Sequence, residues 1–185
     1  MSGSGDRSAR IETYTGQLID VLDPSPAAID LEDVAAGLAH TCRFGGHCSQ
    51  FYSVAQHSLY VSRELPSDQP RLQLLGLLHD AGEAYVGDVP RPLKGELEGF
   101  ERIEDRVLEA VWEGLDVQPP TQREWERVME ADDRLLAYEA AALLSDGSWA
   151  ADPPELEYDL EPASISTVRE RFLTRAEQLL AAVEE

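Results

Sequence analysis

Lysine is almost missing from this chain: of its 15 basic residues 14 are arginines, and Lys94 stands alone against 36 acidic residues and a net charge of −21. Such a field repels nucleic-acid backbones and anionic membranes, which excludes both as partners. Cysteine is scarce as well. Cys42 and Cys48 are too few for a disulfide scaffold and form no CxxC or zinc-finger spacing, so free, partly buried thiols are expected. Long apolar runs are lacking, since Leu72 to Leu78 and Leu135 to Leu144 fall far short of the ~20 residues that span a bilayer. The first ten residues, MSGSGDRSAR, have no apolar stretch of the kind a secretion signal needs, and they read as a flexible tail with the cytoplasm as the compartment. What is present is a hydrophobic fraction of 43% spread over 185 residues, enough for one core in one domain from 11 to 185. Nothing at this stage decides whether the chain forms a homo-oligomer.

A carboxylate-rich surface nearly free of lysine suits molar salt, where charge is screened over ~3 Å and self-repulsion fades. The other reading is an ordinary acidic protein from an arginine-rich genome. Melting temperature measured from ~0.1 M salt, where the screening length is ~10 Å, up to molar salt separates the two. Salt adaptation predicts a steady rise, and full stability at the low end would reject it.

The segment from Ile11 to Pro26 alternates loosely, carries Gly16, Pro24 and Pro26, and should form a short hairpin. A helix begins after the N-cap Asp30 and ends before Gly45 and Gly46. Further helical patterns run over 52–65, 71–85, 97–114 and 121–144. The last opens with Thr121 and Glu124, a capping box after two prolines. An acidic stretch over 145–162 reads as a lid or a wrapped segment. A final helix aligns Ile165, Val168, Phe172, Ala176, Leu179 and Val183 on one face. The expected fold class is therefore all-α, a helical bundle with a short extended N-terminal segment.

The chemistry concentrates at His79-Asp80, inside the apolar run LQLLGLLHDAGEAY. A carboxylate there is costly to bury without a partner, and a divalent cation compensates it directly. Imidazole with carboxylate suits manganese, cobalt, iron, nickel, zinc or magnesium. His57, 22 residues earlier on the preceding helix, can face the same point. A further ligand from a third helix would be Asp132 or Asp133. Glu83, one helical turn after His79, shares its face and can exchange a proton with water or a leaving group. Asp88 follows Gly87 in a turn and can orient substrate or water. Lys94, at the end of a segment stiffened by Pro90 and Pro92, is placed to meet phosphate oxygens.

His57, His79-Asp80 and Asp133 resemble the H…HD…D pattern of the HD-domain metal-dependent phosphohydrolases, over about Ile29 to Glu139. HDAGEAYVGDVPRPLK, His79 to Lys94, is similar to the HDxxExxxGDxPxPxK signature of the bacterial 5′-deoxyribonucleotidases and related small deoxynucleoside triphosphohydrolases. DRLLAY, Asp133 to Tyr138, is similar to that family's D-x-L-x-A-Y element, and it is this alignment that selects Asp133 over Asp132. The resemblance implies an all-helical enzyme holding one divalent metal through His57, His79, Asp80 and Asp133. It further implies removal of phosphate from a small nucleotide, a deoxynucleoside monophosphate or a triphosphate such as dATP, with Glu83 and Asp88 moving protons. Arg43 and Phe44 align with an arginine and an aromatic that contact phosphate and sugar, although the family's aromatic is tryptophan. His47, in the GGH that departs from the family pattern, has no assigned role. A non-catalytic nucleotide sensor is the reading from another class.

Overall fold

The computed structural model describes residues 9–184. The fold is an all-α bundle with one short hairpin. Strands β1 (Arg10–Glu12) and β2 (Leu18–Asp20) pair antiparallel in the register Arg10 to Asp20, so residue 10 of the expected tail belongs to the hairpin. Residues 1–8 of that tail lie outside the described residues, while Ala9 bonds to Val21 and Asp20 beside the hairpin. The helices are α1 (Leu31–His40), α2 (Val54–Glu64), α3 (Pro70–Leu78), α4 (Glu83–Val86), α5 (Arg91–Lys94), α6 (Phe100–Gly114), α7 (Gln122–Leu143) and α8 (Ile165–Glu184). Among the described residues no helix is long and apolar enough to cross a membrane.

The centre of the bundle is α2 and α3, packed on each other and enclosed by α1, α7 and α8. Both are buried nearly all round: α2 from Val54 to Ser62, and α3 from Leu72 to Leu78. A helix with no polar face is an interior helix, and the functional histidines come from these two. Polar groups inside them are accounted for individually. Gln73 donates to the Leu65 carbonyl at 3.0 Å and accepts from Arg175 of α8 at 2.7 Å.

Two boundaries differ from expectation for local reasons. The pattern over 71–85 is not one helix, because α3 ends at Leu78 and α4 begins at Glu83. Between them the ladder tightens: Ala81 bonds back to Leu78, Glu83 to Asp80 and Tyr85 to Gly82, each a three-residue step. The His79 ring takes the Gly76 carbonyl at 2.9 Å, which occupies the acceptor that a continuing α-helix would offer to residue 80. The helix expected from 97 starts at Phe100, since Gly99 sits left-handed at φ 85°.

Thr121 and Glu124 form the expected capping box at the head of α7. The stretch after α7 wraps the bundle over its second half. There the backbone carbonyls of Tyr158, Asp159, Leu160 and Glu161 accept from Tyr138, Tyr60, Gln50 and Gln56 respectively. Its first half carries Trp149, 62% exposed.

Candidate metal centre

The backbone brings four elements to one point. His57 lies in the buried middle of α2, His79 caps α3, Asp80 follows it in the tightened turn, and Asp132 projects from α7. The His57 Nε2 atom is 3.0 Å from Asp132 Oδ1 and 3.9 Å from Asp80 Oδ2. The His79 Nε2 atom is 3.1 Å from Asp80 Oδ2 and 3.8 Å from Asp132 Oδ1. Ligand atoms of His57, His79 and Asp132 all lie within 4.8 Å of one another, a buried group able to hold a metal ion.

The donor atoms pass a chemical test for a cation. His79 Nδ1 faces the Gly76 carbonyl, an acceptor only, so this nitrogen carries the proton. His57 Nδ1 lies 2.8 Å from Glu139 Oε1. Both rings therefore turn Nε2 inward, and neither Nε2 has an aligned hydrogen-bond partner although both are buried. Two buried nitrogens thus crowd 3.0–3.9 Å from the carboxylate oxygens of Asp132 and Asp80, a cluster of donors that one ion can hold together. Nitrogen and oxygen donors suit the borderline and hard dications and not the thiolate-preferring ones. The same acidic setting acts on protons: burial pulls the His79 imidazole down, but Asp80 and Asp132 outweigh it and raise it to about 10. An incoming cation displaces that proton.

Asp132, not Asp133, serves this centre. The Asp132 side chain is 7% exposed; that of Asp133 is 61% exposed and bonds Arg91 Nη1 at 2.9 Å. The reason is helical phase. Buried positions of α7 include Val128, Ala131, Asp132, Leu135, Glu139 and Leu143, and a step of one residue rotates a side chain ~100° away. Periodicity alone, read from Val128 and Leu135, picks Asp132. Arg91 also holds Asp132 Oδ2 at 2.6 Å, fixing the carboxylate with Oδ1 toward the histidines.

The centre opens into a cavity of about 550 Å³. Glu83, Asp88, Arg43, Phe44, Lys94 and His47 all line it, so the expected catalytic and substrate residues share one space with the metal group. Burial, then the carboxylates of Asp80 and Asp88, push Glu83 up to about 9 against the pull of Lys94 and Arg43. Lys94 Nζ sits 2.6 Å from Glu104 and 3.2 Å from Glu83. Glu104 is the nearer of the two carboxylates to the ammonium, so Glu83 has the weaker share of it. Apolar side chains complete the lining, among them Trp125, Met129, Leu108, Leu136 and the largely exposed Trp149.

Arg43 reaches the site through backbone pairing. Its N–H donates to the Tyr52 carbonyl at 2.9 Å, beside the Cys42–Ser53 bridge, which ties its strand-like segment to the start of α2. Phe44, Gly45 and Gly46 then turn left-handed in succession, φ 56°, 60° and 79°, aiming Phe44 at the cavity. Two of the three are glycine, for which this region is free. Cys42 and Cys48 flank the turn as free thiols with Sγ atoms 3.7 Å apart.

Three functional positions escaped the sequence reading. Arg91 was hidden in a proline-flanked tetrapeptide, Glu104 on an exposed-looking amphipathic helix. Glu139 had a signal: it falls seven residues, about two helical turns, after Asp132 on the same apolar stripe.

No protein-family model matches the chain. It is 36% identical to the uncharacterized protein YfdR of Escherichia coli (strain K12) over 140 residues, 75% of each of the two chains. The chain belongs to the YfdR family. Beside YfdR, an uncharacterized protein of Rhodobacter capsulatus is 40% identical over 104 residues, 52% of this chain and 53% of its own.

Proposed function

We propose that the protein is an HD-type metal-dependent phosphohydrolase that removes phosphate from small deoxynucleotides, 5′-deoxynucleoside monophosphates first among them. The observation that carries this reading is the convergence of two inward-facing imidazole Nε2 atoms and the Asp132 carboxylate at the end of a cavity. A buried neutral acid, Glu83, and the buried cation Arg43 share that cavity.

When bound there, a divalent cation supplies a Lewis acid for phosphoryl oxygen and makes water acidic enough to act as nucleophile near neutral pH. The chain's own residues do the rest. His57, His79 and Asp132 would hold the ion, and Asp80, 3.1 Å from His79 Nε2 and 21% exposed, offers a fourth oxygen from the open side. Arg43 neutralises phosphoryl charge where it develops, from a water-poor position that strengthens the contact. Glu83 donates its proton to the departing oxygen. Asp88, which also lines the cavity, accepts or orients a proton on that side. Lys94, held by Glu104, maintains the field around Glu83 and reaches phosphate only by loosening that pair. The apolar side chains of the lining, Trp125 and Met129 among them, take the organic part of the substrate.

The test is a panel of nucleoside mono-, di- and triphosphates with manganese, cobalt and magnesium, assayed for phosphate, pyrophosphate and triphosphate. Metal-dependent release of phosphate from deoxynucleoside monophosphates is the expected result. Triphosphate release instead would move the reading to the triphosphohydrolase reaction. Nucleotide binding without turnover under any metal would replace it by the sensor.

A further inference from the structure

Glu139 is fully buried, in a place where a lone carboxylate would be strongly disfavoured, and it lies among three polar partners. Its two oxygens serve different neighbours. Oε1 accepts from Tyr52 Oη at 2.8 Å and from His57 Nδ1 at 2.8 Å, while Oε2 lies 3.0 Å from Arg43 Nε. His57 thus faces two carboxylates that lie two turns apart on α7, Glu139 bonded at Nδ1 and Asp132 with Oδ1 3.0 Å from Nε2. Arg43, on a different segment, pairs by charge with Oε2 at 3.0 Å without an aligned hydrogen bond, and its Nη1 lies 3.9 Å from Asp80 Oδ2 in the cavity lining.

We propose that Glu139 is a positioning residue that sets the metal-binding and the anion-binding halves of the cavity together. Its Oε1, 2.8 Å from Nδ1, holds the His57 ring with Nε2 toward the metal position, and its Oε2 holds the Arg43 guanidinium beside the cavity by charge. Outer partners of this kind raise the basicity and fix the orientation of a metal-bound imidazole. Here the same carboxylate also sets the cation that meets phosphate. The inference rests on the metal reading given above and goes beyond it in naming one residue that serves both halves.

Glu139→Gln is the direct test, because a carboxamide has one acceptor oxygen and must turn its NH2 group toward either His57 or Arg43. Calorimetry with cobalt and, separately, with inorganic phosphate on the cobalt-loaded protein reads the two halves, with folding verified by circular dichroism. The expected result is a loss of ~10–100-fold in at least one of the two affinities, the range for removal of an outer partner. A folded variant that binds both probes within twofold of the parent, merely melting lower, would make Glu139 a structural tie and overturn the proposal. Nitrogen-15 NMR of the zinc-loaded parent decides the matter even where the variant does not fold. A proton on His57 Nδ1 supports the assignment, and a proton on Nε2 overturns it. A parent that takes up no cobalt overturns the metal reading itself, which is a different outcome from a parent that loads cobalt and a variant that loads it equally well.

Discussion

Asp132→Ala is expected to abolish metal uptake and turnover, whereas Asp133→Ala leaves both within about threefold of the parent. Asp132 Oδ1 lies 3.0 Å from His57 Nε2 and 3.8 Å from His79 Nε2 from a buried position, whereas Asp80 approaches the same two nitrogens from a more exposed one. The loss of Asp132 should weaken metal binding by more than the ~10–100-fold typical of an outer partner, because a direct ligand is removed and the two histidines keep only the more exposed Asp80 beside them. Asp133 loses only an exposed bond to Arg91, a type of contact worth ~0–1 kcal/mol. Melting temperature with and without cobalt gives a readout independent of turnover. At a metal concentration 100 times the dissociation constant, binding stabilises the native state by ~2.7 kcal/mol. The parent and Asp133→Ala should show that upward shift with cobalt and lose it with chelator; Asp132→Ala should show neither. The reverse ranking, with Asp133→Ala the more damaging, would remove Asp132 from the centre and with it the geometric account of the site.

Much of this architecture is legible before any coordinates. The hairpin, the helical class and the capping box at Thr121 follow from short-range rules that act within a turn or two of chain. His57, His79 and Asp80 are legible because ionisable groups inside apolar runs need a long-range partner, and that need is visible without knowing where the partner sits. The two adjacent aspartates were separable too, but only by phase: Val128 and Leu135 place Asp132 inward, whereas an alignment to a neighbouring motif selected Asp133 and was off by one residue. The interruption after Leu78 was not legible, since it arises when a side chain, His79, takes a backbone carbonyl from the helix, and propensity does not register that. Glu104 and Arg91 were hidden for a related reason. Each is polar on a segment with an ordinary polar face, and it is tertiary packing that turns them toward Lys94 and Asp132.

Glu83→Gln is expected to lower kcat by ~10²–10⁴ while leaving metal and inorganic phosphate affinities nearly unchanged, the range that general acid–base help contributes. The substitution keeps the size of the side chain and still offers an acceptor to Lys94, which Glu104 holds at 2.6 Å in any case. What it removes is the proton. Glu83 is 5% exposed, and burial with Asp80 and Asp88 nearby pushes its carboxyl up to about 9, so below that pH it is an acid ready to protonate a leaving oxygen. The sign of the pH dependence follows. Turnover that needs the acid form falls as pH rises through the Glu83 pKa, and this alkaline limb must vanish in Glu83→Gln. A dication held at the histidines adds positive charge beside the carboxyl, which favours its ionised form and moves the limb below about 9. Measuring kcat against pH for parent and variant, with phosphate affinity alongside, tests the assignment at two independent points. If Glu83→Gln lost phosphate binding but kept the rate of the bound substrate, the carboxyl would be a binding group and the proton donor would have to be sought at Asp88.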